Sequence, residues 1–238
     1  MNDNLWPAAV LFDLDGTLAD SFVGIHGALA QALAEFGLPP RDLEWVRRHV
    51  GRGARPLVED AVGRGDDALV VRVGERFGVL YRASYLDATP VRAGAAKLLE
   101  LAHTNTSGRV AVVSNKAAGL CQRWLEHVGL AGWVRLVAGP DTFAASKPDP
   151  AAVLPVLAAL GVSAGQALLV GDMPIDAVTA ANVGMGAVLV SGGAADEEEL
   201  LGAKPLAVLP GLFELAGWLV EHGRGWGYHT HPGRRHGE

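Results

Sequence analysis

The chain has 238 residues, half of them apolar, a formal net charge of −6 and one cysteine, which suits one large domain or a core domain carrying a smaller one. The acidic balance argues against nucleic-acid and acidic-membrane partners, and a lone Cys121 excludes an intrachain disulfide or a cysteine-based metal site, leaving packing as its expected role. No stretch approaches the roughly eighteen apolar residues of a membrane span, and the first residues lack a signal peptide's basic region and cleavage site, so a soluble cytoplasmic protein is expected.

In chain order, "AAVLFDL" (8–14) is a short apolar run ending at polar residues and glycine, and it reads as a buried strand. "DSFVGIHGALAQALAEFG" (20–37) follows with helical spacing of Phe22, Ile25, Leu29, Leu33 and Phe36, and Gly37 with Pro39-Pro40 stops it. Residues 41–87 continue with helical spacing and almost no strand signal. From residue 90 helices and strands alternate. Helices are expected at 94–103, 116–129, 150–161, 175–184 and 211–223, and strands at 109–115, 134–139, 167–172, 186–191 and 206–210. Such alternation implies a parallel sheet covered on both faces. The expected fold is therefore α/β: a Rossmann-like core, residues 1–19 and 90–223, with an all-helical segment, 20–89, inserted after the first strand. The tail 224–238, "RGWGYHTHPGRRHGE", has no period. His229, His231 and His236 invite a metal reading there, and a flexible terminus is the plainer one.

Ligands of an open parallel sheet sit at the carboxyl ends of its strands. The first strand ends in Asp13-Leu14-Asp15-Gly16-Thr17, another in Ser114-Asn115-Lys116, and "LLVGD" in Asp172 with Asp176 one helical turn on. "SKPDP" (146–150) places Lys147 between them, and only four lysines exist in the chain. In extended backbone Asp13 and Asp15 would point the same way, about 6–7 Å apart. Four carboxylates in one small site need a cation. With oxygen ligands and no His or Cys in these motifs, the expected ion is Mg²⁺. Ser114, Asn115 and Lys147 are donors suited to phosphate oxygens, backbone amides after Ser114 would add to them, and Gly16 permits close backbone approach. Taken singly, each motif has an ordinary reading as a turn, a helix cap or an exposed loop. All four, in order on successive strand ends, make coincidence improbable.

The sequence resembles the haloacid dehalogenase superfamily of phosphohydrolases over about residues 8–220. The motifs are Asp13–Thr17 (D-x-D-G-T), Ser114 at a strand end, Lys147 before proline, and Gly171-Asp172 through Asp176 (G-D-x-x-x-D). The helical insertion looks like that superfamily's small cap. Within it, "FDLDGTLADS", "HVGRGARPLVEDAV" (49–62), "GPDTFAASKPDPAAVL" (139–154) and "GDMPIDAVTAANVGM" (171–185) resemble phosphoglycolate phosphatases. Met173-Pro174 departs from the small polar residue that relatives often carry there, which leaves the local loop shape open.

The resemblance implies a Mg²⁺-dependent phosphomonoester hydrolase. Asp13 would be the nucleophile and Asp15 the general acid and base. The metal would be held by Asp13, the Asp15 carbonyl and Asp172, with Asp176 directly or through water. Ser114, Asn115, Lys147 and Gly16 would bind phosphate. The cap would choose the substrate, a small phosphorylated metabolite such as 2-phosphoglycolate, whose carboxylate Arg52 could hold. Arg52 and Arg55 are equally well read as solvated charges. The alternative is a phosphatase or phosphomutase acting on a sugar phosphate, pyrophosphate or similar metabolite; under either reading a monomer or homodimer is expected. A dehalogenase is disfavoured by Asp15 and Gly-Thr, and a phosphonatase by the absence of any lysine in residues 20–89. A non-catalytic binder would be expected to have lost a motif residue, and none is missing.

Overall fold

A computed structural model describes residues 6–63 and 65–222; the tail with its three histidines lies outside them. Six short apolar runs pair as one parallel sheet: β1 (Ala9–Phe12), β2 (Val110–Val113), β3 (Leu136–Ala138), β4 (Ala167–Gly171), β5 (Gly186–Val190) and β6 (Ala207–Leu209). Their order is β3-β2-β1-β4-β5-β6. The strands read as unbroken apolar runs because both sheet faces are covered. Val10, Phe12, Val112 and Val170 enter one buried cluster, and Ala9, Leu11, Ala111 and Leu169 the other. Helices α5 (Ala95–Asn105), α6 (Ala118–His127) and α11 (Leu212–His222) cover the first face. Helices α8 (Leu154–Leu160), α9 (Pro174–Val183) and α10 (Glu197–Gly202) cover the second. β1 lies between β2 and β4, so the three strand ends carrying Asp13, Ser114 and Asp172 are neighbours.

Between β1 and α5 the chain forms α1 (Phe22–Glu35), α2 (Leu43–His49), α3 (Ala54–Val62) and α4 (Asp67–Ser84). Asp42 caps α2 by accepting from Trp45 N at 2.7 Å, and Asp66 caps α4 by accepting from Leu69 N at 2.9 Å. Leu29, Leu33, Val73 and Phe77 are buried where α1 meets α4. The connectors into and out of this insertion run side by side. Ala19 bridges Val91 antiparallel, and Asp20 N donates to Pro90 O at 2.9 Å.

Where element boundaries differ from expectation, local chemistry accounts for it. The expected helix over 150–161 splits into a 3₁₀ turn at Pro150–Ala152 and then α8, whose first turn holds Pro155. A one-turn helix, α7 (Pro140–Phe143), and α10 were not anticipated. The first is a single turn too short for periodicity to register. The second is acidic at its start and offers few apolar positions.

Trp124 on α6 is fully buried, and its indole N–H donates to Thr89 O at 2.8 Å. It fastens the segment returning from the insertion to the sheet face. Trp124→Ala should therefore destabilise the protein by about 3–5 kcal/mol, read from urea denaturation; a loss below about 1 kcal/mol would contradict this placement.

Candidate active site

Asp13 follows β1 and still belongs to its ladder, donating its N–H to Val170 O at 2.8 Å. The chain then turns on Leu14, whose carbonyl accepts from Thr17, Leu18 and Ala19. Gly16 takes φ +83° in this turn, and a Cβ there would fall 2.1 Å from Asp172 Oδ2. Glycine is required twice over, by conformation and by space. Arg92 donates to the carbonyls of Gly16 and of Ser191, the latter at 2.9 Å, which ties this turn to the end of β5.

Asp172 and Asp176 are fully buried at the end of β4 and the start of α9. Asp172 accepts from Thr17 Oγ1 at 2.8 Å and from Ala194 N at 2.7 Å. A Cβ on Gly193 would come 2.1 Å from its Oδ2, and one on Gly171 would come 2.1 Å from the Asp176 carboxyl group. Three glycines thus leave the space these carboxylates occupy.

Lys147 reaches the same point from the loop after α7. Its Nζ donates to Asp176 Oδ1 at 2.6 Å and lies 3.0 Å from Asp13 Oδ1. The second contact is an ion pair without hydrogen-bond geometry, so Asp13 Oδ1 is buried with no hydrogen bond. Asn115 holds this lysine in place. Its Oδ1 accepts from Lys147 N at 2.7 Å, and its amide donates to Lys147 O at 3.1 Å and Gly51 O at 2.9 Å. Both amide protons are engaged in positioning, where the sequence suggested phosphate.

Asp13, Asp172 and Asp176 form one buried carboxylate group, with ligand oxygens all within 4.8 Å of one another. Burial pushes Asp13 up to about 6 against the pull of Lys147, with Asp176 and Asp15 adding to the rise. Burial pushes Asp172 up to about 8, reinforced by Asp13 and Asp176. Burial alone would lower Lys147, yet Asp13 and Asp176 hold it well above an ordinary lysine. One ammonium against three carboxylates leaves a deficit of positive charge. That deficit, the all-oxygen donors and the Asp13 oxygen that has no hydrogen bond fit a hard divalent cation.

Asp15 stands apart, and the expected cluster of four carboxylates is corrected to three. Past the end of β1 its carboxylate accepts from Lys116 Nζ at 2.7 Å, which supplies its counter-charge locally. Lys116 also donates to the Tyr81 hydroxyl on α4 at 2.6 Å and lies over that ring, 4.8 Å from its centre. Burial pushes the Tyr81 hydroxyl up to about 12, so it stays neutral. Burial would lower Lys116, but Asp15 raises it well above the ordinary value. Asp13 and Asp15 do share one cavity of about 330 Å³, with Ser114, Lys116, Tyr81 and Phe77 also on its wall.

The structure does not bring Arg52 to that wall. Arg52 is half exposed and paired with Asp60, and Arg55 pairs with Glu59 at 2.6 Å. The guanidinium of the insertion on the wall is Arg82. Gly51 instead makes the contact with the core: with φ +111°, a Cβ on it would meet Met173 Sδ at 2.0 Å. The departure at Met173 therefore has a physical account, a thioether packed on the Gly51 backbone. Arg47 adds another link, donating to Gly193 O at 3.2 Å while stacking over Phe22. Cys121 is buried beside Lys116 O, and burial pushes its thiol well up, in keeping with packing. Lysine scarcity pointed to Lys116; nothing in the sequence distinguished Tyr81, Arg92, Arg47 or Arg82.

No described helix is long and apolar enough to cross a membrane. Residues 10–190 match the family model described as haloacid dehalogenase-like hydrolase. A phosphoglycolate phosphatase of Rhodospirillum rubrum is 42% identical over 223 residues, covering 90% of this chain and 91% of that one. Another of Caulobacter vibrioides is 37% identical over 201 residues, covering 82% and 84%. Among solved structures, one described as a predicted phosphoglycolate phosphatase from Haemophilus somnus superposes with TM-score 0.80 at 22% identity, covering 90% of this chain and 98% of that one. That likeness speaks to the fold alone. The family model spans most of the chain and these relatives align over most of their length, so this chain belongs to the haloacid dehalogenase-like hydrolases.

Proposed function

We propose that the protein is a Mg²⁺-dependent phosphomonoester hydrolase that works through an aspartyl-phosphate on Asp13, with 2-phosphoglycolate as substrate. The observation that carries the chemistry is the Asp13 carboxylate, buried with an oxygen that lacks a hydrogen bond, beside Asp172, Asp176 and Lys147 at a cavity wall. The name shared by relatives at 42% and 37% identity supports the substrate.

Asp13 would attack phosphorus in line, forming the carboxylate-oxygen–phosphorus bond as the ester oxygen leaves. Asp15, in its protonated form, would pass its proton to that leaving alkoxide and be left as the carboxylate paired with Lys116. It would then take a proton from the water that cleaves the acyl phosphate. Lys116 and Tyr81 hold Asp15 in position for both steps. Ser114 would donate to the transferring phosphoryl group, and Lys147 would offset its charge beside Asp13. Asn115 acts through Lys147. Asp13, Asp172, the Asp15 carbonyl and Asp176 would hold Mg²⁺, which supplies charge neutralisation for the incoming phosphate. The inserted helices serve as the cap that excludes water, joined to the core through Gly51–Asn115 and Tyr81–Lys116.

Phosphate release from 2-phosphoglycolate should stop with EDTA and return with Mg²⁺. Asp13→Asn should abolish turnover, and Asp15→Asn should slow it about 10²–10⁴-fold. Brisk hydrolysis of a sugar phosphate with none of 2-phosphoglycolate would reassign the substrate, and full turnover in EDTA would remove the metal.

The same cluster predicts a pH dependence of stability. Without metal, folded Asp13 and Asp172 hold protons that the unfolded chain releases near 3.8. The folded state binds more protons between about 4 and about 8, so stability falls as pH rises through that window. A divalent cation takes the place of those protons. The rise in Tm on adding Mg²⁺ should be larger at pH 8 than at pH 5, measured by calorimetry against EDTA controls; a rise independent of pH would contradict the cluster's role.

A further inference from the structure

Helix α4 faces the cavity with Gly74, Phe77, Gly78, Tyr81 and Arg82. Glycine weakens a helix interior, so two of them on one face need a reason. Packing does not supply it at Gly74, where a Cβ would meet nothing nearer than Val58 Cγ1 at 4.0 Å. At Gly78 a Cβ would come 3.1 Å from Arg82 Nη1. The glycines keep this wall hollow, and the Arg82 side chain lies back over Gly78 within the space they leave.

The arginines of the insertion are otherwise occupied. Among the described ones, Arg48, Arg52, Arg55 and Arg76 pair with carboxylates. Arg41 and Arg47 donate to backbone carbonyls, and Arg72 lies over the Phe36 ring. Arg82 alone has no such partner. The other cation on the cavity wall, Lys116, is already neutralised by Asp15. Ile25, Val50, Leu57 and Phe77 make much of the remaining wall apolar. The phosphate end of the cavity is set by Asp13 and Ser114. A second anionic group on the substrate therefore finds one uncommitted cation, and a guanidinium can grip a carboxylate through two parallel hydrogen bonds.

We propose that Arg82 is the specificity-determining residue of the cap, receiving a carboxylate carried by the substrate at the end remote from the phosphate. This rests on the phosphatase reading and deepens it to a substrate class, small phosphate esters with a second, carboxylate charge. The test is kcat/KM for matched pairs of esters on wild type, Arg82→Gln and Arg52→Gln, with circular dichroism to confirm folding. The pairs are 2-phosphoglycolate against 2-hydroxyethyl phosphate, and 3-phosphoglycerate against glycerol phosphate. Arg82→Gln should lower kcat/KM for the carboxylated member roughly ten- to a hundredfold, mainly through KM, and change the neutral member by less than about threefold. Arg82→Lys should recover part of the loss. Equal effects on both members, or a shift produced by Arg52→Gln and not by Arg82→Gln, would overturn the assignment. The wild-type preference among esters tests the 2-phosphoglycolate reading separately: a wild type that favours 3-phosphoglycerate leaves Arg82 standing and removes only that substrate, whereas one that hydrolyses neutral esters alone overturns both.

Discussion

Lys147 sits between two buried carboxylates, and the rest of the site is arranged around that placement. An ammonium buried this deeply is held charged by Asp13 and Asp176, and a buried ion pair is costly unless its remaining atoms are satisfied. Asn115 fixes the lysine backbone on both its N–H and C=O sides. Asp172, the third carboxylate, is satisfied by the Thr17 hydroxyl and the Ala194 amide. Gly16, Gly171 and Gly193 are bare because the carboxyl groups occupy the volume a methyl would need. What has no hydrogen bond is one oxygen of Asp13, which keeps only its ion pair with Lys147.

The same residues couple the core to the inserted helices. Asn115 donates to Gly51 O with the proton not given to Lys147, so the loop between α2 and α3 is attached to the lysine-holding amide. Lys116, the next residue, joins Asp15 to Tyr81 on α4. Arg47 on α2 reaches Gly193 O, beside the donor that steadies Asp172. Each tether ends on a residue that touches a site carboxylate or a group bonded to one. Movement of the helices about the paired connectors at Ala19 and Val91 would thus be felt at these carboxylates, as the proposed water-excluding role of the insertion requires.

Much of this was legible in the order of residues. Buried parallel strands are unbroken apolar runs, and polar residues at their ends stand out against that background, as Asp13, Ser114 and Asp172 do. Lys147 stood out because lysine is rare in this chain. The helical nature of residues 20–89 followed from spacing. The elements with no signal of their own, α7 and α10, are four and six residues long and lack a repeating apolar face.

By itself the sequence determined the layered α/β fold, the rim where the chemistry gathers and the identity of the carboxylates, because periodicity and strand-end polarity are local properties. Only the tertiary structure decided which charges meet. It separated Asp15 from the other three carboxylates by giving it Lys116, a partner 101 positions away. It set the Asn115 side chain against the Lys147 backbone, and it sent Arg52 outward to Asp60 while leaving Arg82 on the cavity wall. Pairing of charged side chains depends on distances of a few ångströms between segments far apart in the chain, and no local pattern encodes those distances.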